Sequence, residues 1–326
     1  MEFTQIPNIE QKASRVALGT WSIGGWLWGG SDDKDSIKTI LRALEKGINV
    51  IDTAPVYGFG HAEKLVGKAL KEFGSRDNVI IATKAGINWE NQKPFRDCSK
   101  NRLQQEIEDS LKRLDVEAID LYQIHWPDPN TPIEEAAEFM KGLLDQGKIR
   151  AVGVSNFSPE EMDIFRQISP LHSCQPPYNL FEREIEESAL FYCLKNRIAV
   201  LGYGALCRGL LSGKMSKDRS FEGDDLRQKD PKFQEPRFSE YLEAACRLEE
   251  WAEKKHGRPL IAVAVRWMLD KRVNIALWGA RKPKQIDDVD SVWGWKLKED
   301  DFAEIDHIIF ETIKQPVGPE FMAPPS

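Results

Sequence analysis

Four polar residues of different chemistry follow short apolar runs in the first 125 residues of the chain: Asp52, Tyr57, Lys84 and His125. Such a set suits carbonyl reduction, because hydride addition leaves negative charge on the carbonyl oxygen and a proton donor must stand beside it. A phenol has a pKa of about 10, and a neighbouring ammonium is expected to lower it by favouring the phenolate. We therefore predict Tyr57 as the general acid, tuned by Lys84, which Asp52 holds in place. His125 is predicted to donate a second hydrogen bond to the substrate oxygen.

Each of these residues also has a plainer interpretation. An aspartate after a strand often caps a helix, a loop tyrosine usually packs, and a lysine can simply be solvated. His125 could be a lone metal ligand, but the chain has five histidines and no second ligand at a usable spacing. The joint occurrence favours one reaction centre, whose hydride must come from a cofactor because no side chain supplies one.

The chain alternates short apolar runs with longer amphipathic stretches, the pattern of parallel βα units. We expect a helix after each of eight strands, which gives a single (β/α)8 TIM barrel over residues 1–326. The predicted strands are 16–18, 50–53, 79–83, 119–124, 151–154, 173–175, 199–202 and 275–278. The predicted helices are 35–46, 62–72, 99–114, 133–145, 159–167 and 184–196.

Two segments depart from this alternation. Gly204 to Pro236 is rich in Gly, Asp, Arg and Pro, which predicts a long loop after the seventh strand. Glu299–Ile309 predicts an added C-terminal helix, and the tail from Pro316 is expected to be irregular. Chemistry in a parallel barrel lies at the carboxyl ends of the strands, where the four polar residues fall.

The composition is that of an ordinary globular protein, with 41% hydrophobic and 30% charged residues. A net charge of −7 argues against nucleic acid or an anionic membrane as a partner. The five cysteines form no C-x-x-C pair, which indicates a reducing compartment. There is no signal-like start and no apolar run of about 20 residues. We expect a cytoplasmic monomer or weak homo-oligomer with a small-molecule carbonyl substrate.

Seven runs of the chain carry a family pattern: Asp52–Gly58, Ala82–Lys84, Asp120–Pro127, Gly153–Phe157, Gln175–Asn179, Tyr203–Leu206 and Trp278–Pro283. In this order they resemble the aldo-keto reductases, from about Val16 to Trp293, and most closely the bacterial general-stress and inositol-operon branch. The resemblance implies a (β/α)8 barrel and an NADP-dependent oxidoreductase that reduces aldehydes and some ketones. It also implies that the four polar residues form the catalytic tetrad.

The resemblance further implies a cofactor site. Ser155 and Asn156 would bind the nicotinamide carboxamide, and Tyr203 would stack on the ring. Residues 206–214 would fold over the pyrophosphate, and residues 279–285 would hold the adenosine end. The full predicted set is Gly19, Thr20, Trp21, Asp52, Ser155, Asn156, Gln175, Tyr203, Gly204, Ala205, Leu206, Arg208, Gly209, Ser212, Lys214, Gly279, Arg281, Lys282, Gln285 and Asp288.

A basic cluster follows the last predicted strand, with Arg281, Lys282 and Lys284. In an acidic chain such a cluster suits a 2′-phosphate and predicts NADPH over NADH. The alternative is a solvated helix start, although helix N-termini normally prefer acidic residues. Two positions depart from the better-known branches of the family. Gln285 stands where many members carry Arg, and Asp288-Val289 stands where many carry Glu-Asn at the start of the last barrel helix.

Several tryptophans fall just past predicted strand ends and could form an apolar pocket for aromatic or medium-chain aldehydes. Some of them could instead simply cover the barrel end. The predicted substrate pocket is Trp21, Tyr57, Trp89, His125 and Trp126.

Three other functions are alternatives. A cofactor-sensing regulatory subunit would bind NADPH tightly and turn over very slowly. Similar barrels serve potassium channels as binding partners. A sugar or polyol dehydrogenase would use the same site in the oxidative direction. A metal-dependent barrel hydrolase would need His, Asp and Glu clustered at strand ends, and the sequence lacks that cluster.

Overall fold

Eight parallel strands close into a barrel in the computed structural model, which describes residues 1–326. The predicted (β/α)8 fold is confirmed. Numbered along the chain, the barrel strands are β3 to β5 and β8 to β12, and two hairpins lie outside the barrel. The strands are β1 (Phe3–Thr4), β2 (Ala13–Ser14), β3 (Val16–Gly19), β4 (Val50–Asp52), β5 (Ile80–Ala85), β6 (Ile87–Glu90), β7 (Lys93–Arg96), β8 (Ile119–Ile124), β9 (Ile149–Ser155), β10 (Ser173–Gln175), β11 (Ala199–Gly202) and β12 (Ile275–Gly279).

Nine α-helices surround the barrel, and their buried apolar residues form one continuous core with those of the strands. No helix of the structure combines the length and apolar character needed to cross a lipid bilayer. The helices are α1 (Asp33–Glu45), α2 (His61–Phe73), α3 (Lys100–Leu114), α4 (Ile133–Asp145), α5 (Pro159–Ile168), α6 (Ala189–Asn196), α7 (Arg237–His256), α8 (Leu260–Asp270) and α9 (Glu299–Thr312).

The N-terminal hairpin of β1 and β2 closes one end of the barrel. Ile6 and Ile9, between the two strands, are buried among inward-facing side chains such as Ala17, Val50 and Ile80. The barrel interior at this end is therefore a packed apolar core, and the polar side chains lie at the opposite end, where the strands finish.

Several elements differ from the sequence-based expectation. The pattern does not predict α7, α8 or the two hairpins. Ten of the eleven residues of α8 are buried, and all of these except Arg266 are apolar, so the helix lacks a polar face that would reveal its period. The helix predicted from Glu184 begins only at Ala189, because residues 184–188 form turns.

The segment that follows the last barrel strand also differs. Residues 283–292 form short 3-10 turns, so the last barrel helix expected at Asp288 is wrong. Only Val289 and Val292 of the second turn reach the core, which is too narrow an apolar face for a barrel helix. The long loop predicted over Gly204–Pro236 is confirmed, with 3-10 turns as its only helical structure.

Candidate active site

A buried ion pair lies at the base of a cavity at the carboxyl ends of the strands. Lys84, within β5, places its Nζ 2.7 Å from Oδ2 of Asp52, the last residue of β4. The same Nζ donates to the Thr53 carbonyl at 3.0 Å and lies 3.4 Å from the Tyr57 hydroxyl oxygen. His125 directly follows β8 and meets the Tyr57 ring edge-on, with centroids 5.8 Å apart. The fold therefore brings together all four polar residues that the sequence singled out.

Glycines and one aromatic contact position Tyr57. A Cβ at Gly24 would lie 2.6 Å from the backbone carbonyl of Tyr57, so only glycine lets the loop after β3 pack against the loop after β4. Gly58 adopts a φ of +67°, in the left-handed region that favours glycine. Trp21 stacks on the Tyr57 ring with centroids 6.0 Å apart. These contacts direct the phenol towards Lys84.

The electrostatics of Tyr57 differ from the sequence-based expectation. Burial raises the pKa of Tyr57 well above its usual value, and the Asp52 carboxylate raises it further. The net shift is therefore upwards, whereas the sequence predicts a pKa lowered by the Lys84 ammonium. Tyr57 therefore keeps its proton far into the alkaline range.

The two other titratable groups are also shifted by burial. Burial lowers the pKa of Lys84, against the opposing effect of Asp52. Burial lowers the pKa of His125 well below its usual value, and the charge of Lys84 acts in the same direction. His125 is therefore a neutral imidazole at neutral pH, able to donate a hydrogen bond from one ring nitrogen.

The cavity above these groups has a volume of about 720 Å³. Every residue of the predicted cofactor set lines it except Lys282, which is exposed outside it. Every residue of the predicted substrate pocket lines it except Trp89. The Trp89 ring packs instead against Phe59 and under the Arg102 guanidinium. Lys84 lies beneath the cavity and reaches it only through its neighbours.

A hydrogen-bonded group forms one wall near the ion pair. The Ser155 hydroxyl donates to the Gln175 carbonyl at 2.7 Å, and Asn156 Nδ2 donates to the Ser155 oxygen at 3.0 Å. The Tyr203 hydroxyl donates to Asn156 Oδ1 at 2.9 Å. Gln175 Nε2 donates to Asp52 Oδ1 at 2.7 Å, which connects this wall to the ion pair. The Gln175 Oε1 atom remains available as an acceptor.

Arg208 has a different environment from the one predicted. Its Nη2 lies 2.6 Å from Glu182 Oε1, and its Nε pairs with Asp230. Lys232 also reaches Glu182, at 2.9 Å, and all of these side chains are buried. The Arg208 guanidinium therefore anchors the loop after β11. The sequence around Arg208 does not indicate that its guanidinium pairs with acidic side chains.

The end of the cavity beyond β12 is basic. Arg281 donates to the carbonyls of Trp28 and Gly30. Burial lowers the pKa of Arg281, and the nearby cations of Arg227 and Arg219 lower it further, whereas Asp225, which pairs with Arg227, raises it. Sequence reasoning missed Arg219 and Arg227 because they lie in the long loop, which carries neither a period nor a motif.

The remaining walls are apolar. They come from the loops after β3 and β8, from the β6–β7 hairpin and from the C-terminal tail, which folds back over the barrel mouth. Their apolar lining residues are Trp21, Trp26, Leu27, Trp28, Ile87, Pro94, Trp126, Phe321, Met322, Ala323, Pro324 and Pro325. The tail has little regular structure, as predicted, but its place in the cavity wall is not visible in the sequence.

Comparisons with known proteins agree with this geometry. The model of the aldo/keto reductase family matches residues 15–309. The chain is 58% identical to "Aldo-keto reductase YhdN" of Bacillus subtilis, over 100% of this chain and 99% of that protein. It is 34% identical to an "NADH-specific methylglyoxal reductase" of Escherichia coli, over 84% of this chain and 87% of that protein. Among solved structures, the glycerol dehydrogenase AKR11B4 of Gluconobacter oxydans is 54% identical and superposes with a TM-score of 0.89, covering 98% of this chain and 99% of that one.

Proposed function

We propose that this chain, which belongs to the aldo/keto reductase family, reduces aldehydes and some ketones to alcohols with NADPH. Membership makes it an oxidoreductase of a family that uses nicotinamide cofactors. One observation carries the finer proposal. The Tyr57 hydroxyl lies 3.4 Å from the buried Lys84 ammonium and beside the neutral His125 ring, at the base of a cavity of about 720 Å³.

The walls of the cavity fit a nicotinamide dinucleotide. Gln175 Oε1 and the Ser155–Asn156 pair offer acceptors and donors for a carboxamide, close to Tyr57. The side chain of Tyr203 is held by Asn156, in a position to pack against a flat ring. The end of the cavity with Arg219, Arg281 and Arg227, of which Arg227 pairs with Asp225, suits a phosphate group.

The roles of the tetrad follow from its geometry. The cofactor, when bound, supplies the hydride that the side chains cannot. Neutral His125 donates a hydrogen bond to the carbonyl oxygen and orients it, without adding a full charge to the buried site. Tyr57 then gives its proton to the oxygen as negative charge develops there. Lys84, held by Asp52, stabilises the phenolate that remains.

The cofactor preference can be tested at Arg281. We expect Arg281→Ala to lower the ratio of kcat/KM for NADPH over that for NADH by about tenfold, because a charge-assisted contact to the 2′-phosphate is lost. The matched control is Lys282→Ala, which removes a neighbouring cation outside the cavity and should leave the ratio unchanged. Steady-state kinetics with both cofactors measures it. If the NADPH/NADH ratio of kcat/KM were the same in Arg281→Ala as in Lys282→Ala, Arg281 would not bind the 2′-phosphate.

The overall proposal is tested by following the near-ultraviolet absorbance of NADPH with a panel of aliphatic and aromatic aldehydes. We expect steady consumption whose kcat is nearly flat from about pH 6 to about pH 9. The reason is that the raised pKa of Tyr57 keeps the acid protonated and the lowered pKa of His125 keeps the imidazole neutral across that range. A kcat that falls above about pH 8 would contradict this assignment of the acid.

Absence of turnover would point elsewhere. If the protein bound NADPH tightly and reduced no carbonyl compound, the reductase proposal would fail in favour of the cofactor-sensing subunit.

A second candidate is favoured by the similarity to a glycerol dehydrogenase at 54% identity. In this function the chain oxidises a polyol, and Tyr57 accepts the proton from the alcohol. Because the raised pKa of Tyr57 disfavours the phenolate, oxidation of glycerol with NADP⁺ should accelerate steadily towards alkaline pH while reduction stays flat. Comparable specificity for glycerol and for aldehydes at neutral pH would support this candidate.

A further inference from the structure

The C-terminal tail lines the cavity but has few attachments to the rest of the protein. Residues 321–324 are half-buried, and their only helical structure is one 3-10 turn at Glu320–Met322. Two backbone oxygens near the end of the tail, those of Pro324 and Pro325, accept hydrogen bonds from a single residue, Arg96 of β7. Arg96 therefore holds the last residues of the tail, whereas Arg208, which lies over the Phe321 ring, and Lys232, which donates to the Gly318 carbonyl, hold the residues before them.

Arg96 also contacts the rest of this wall. Its Nε donates to Pro324 O at 2.9 Å, its backbone N–H donates to Pro325 O at 2.9 Å, and its Nη1 donates to Pro127 O at 3.1 Å. The guanidinium lies over the Trp126 ring, 5.2 Å from the centroid. One side chain thus joins the β6–β7 hairpin, the loop after β8 and the tail.

These three segments supply apolar surface beside Tyr57 and His125. Trp126 follows His125 directly, Pro94 belongs to the hairpin, and Pro324 to the tail, and all three line the cavity. Arg96 itself does not line the cavity. Arg96 can therefore influence a substrate only by holding in place the residues that contact the substrate.

We propose that Arg96 is a positioning residue that sets substrate size by fixing the tail as the outer wall of the substrate pocket, an inference that rests on the proposed reductase function. A large aromatic aldehyde reaches past Trp126 and packs against the tail. A small aliphatic aldehyde contacts only the inner end beside Tyr57 and His125. Loss of the Arg96 side chain removes its hydrogen bonds to Pro324 and Pro127 but leaves the backbone hydrogen bond to Pro325. It therefore affects the large substrate and spares the small one.

The test compares Arg96→Ala, Arg96→Lys and the control Arg166→Ala in the full-length protein. Arg166 is matched to Arg96, since it also lies over an aromatic ring and joins two elements by hydrogen bonds, but on the outer surface at Tyr192 and Asn196. The measurements are kcat and KM for 2-naphthaldehyde and propanal, and amide hydrogen exchange of residues 317–326.

For Arg96→Ala we expect a KM for 2-naphthaldehyde raised about tenfold, an unchanged kcat, and a KM for propanal within about twofold of the wild type. Amides of the tail should exchange faster. Arg96→Lys keeps the charge but not the planar fork, so its KM should fall between those of the wild type and the alanine variant. The idea is overturned if Arg96→Ala matches Arg166→Ala, or if both aldehydes lose kcat equally, which would indicate a general structural role.

A binding measurement separates this inference from the proposed function. Quenching of the cavity tryptophans by 2-naphthalenemethanol reports affinity without turnover. If the wild type reduced no aldehyde, the reductase proposal would fail, yet weaker binding of this alcohol to Arg96→Ala than to Arg166→Ala would still support the role of Arg96. Equal affinity would overturn it.

Discussion

Replacement of Tyr57 by phenylalanine is expected to lower kcat for aldehyde reduction by about 10³-fold. The variant keeps the ring that stacks on Trp21 and meets His125 but loses the hydroxyl 3.4 Å from Lys84 Nζ. The proton must then come from water, which the buried floor of the cavity largely excludes. The same variant should bind NADPH with wild-type affinity, because the phenol lies at the substrate side of the cavity.

The measurements are single-turnover kinetics and NADPH binding by fluorescence. Tyr192→Phe is the control, since it removes a phenol hydroxyl at the exposed contact with Arg166 and should change neither. A Tyr57→Phe variant that keeps kcat within about tenfold of the wild type would remove Tyr57 as the acid. Loss of NADPH affinity in parallel with kcat would show instead that the substitution disturbs the cavity as a whole.

Glu182→Gln is expected to reduce the free energy of unfolding by about 3 to 5 kcal/mol. The Glu182 carboxylate is buried and compensates two buried cations, at 2.6 Å from Arg208 Nη2 and 2.9 Å from Lys232 Nζ. An amide has the same shape and its oxygen can still accept a hydrogen bond, but it has no charge to compensate Lys232, whose other contacts are the Gly318 carbonyl and the Tyr241 ring. Urea denaturation of both proteins measures the difference.

The same carboxylate predicts a pH dependence. Burial favours the neutral form of Glu182, but Arg208 and Lys232 outweigh it and hold its pKa at about 2. A carboxyl group with a depressed folded-state pKa stabilises the protein above its unfolded pKa of about 4.3 and loses that contribution as the pH falls towards the folded value. The difference between wild type and Glu182→Gln should therefore be full near neutral pH and shrink between about pH 4 and about pH 2.

Glu186→Gln provides the comparison. Glu186 pairs with Arg183 and Lys271 and is only partly exposed, with a side-chain relative accessibility of 25%. Its replacement should cost no more than about 1 kcal/mol. Equal losses for the two variants would mean that burial of the Glu182 cluster adds nothing to its contribution.

The positions of the reacting groups could be predicted from the sequence, whereas their protonation states could not. Asp52, Lys84 and His125 end strands whose apolar runs are plain, and parallel strands of a barrel end at one mouth. The pKa of Tyr57 depends instead on how deeply the phenol is buried and on how close the Asp52 carboxylate lies. Both are three-dimensional quantities that spacing along the chain does not encode.

The other differences have similar causes. A motif placed Arg208 at the start of the loop, but its partners Glu182 and Asp230 lie in segments without a recognisable pattern. Arg281 and Lys282 are adjacent and both cationic, and only the turn after β12 decides which of them faces the cavity. The helix α8 escapes detection because a fully buried helix loses the polar face on which periodicity depends.

The reaction centre and the apolar walls of the cavity are built from different parts of the fold. Asp52 and Lys84 belong to barrel strands that pair with a neighbouring strand on each side, whereas the apolar walls come from a hairpin, loops and a tail outside the barrel. Laboratory evolution could therefore draw on two independent sets of positions. Libraries at Trp26, Pro94 and Met322 would change which substrates bind, while Asp52 and Lys84 in the strands keep the reaction centre intact. Substrate specificity could therefore be changed without first lowering kcat.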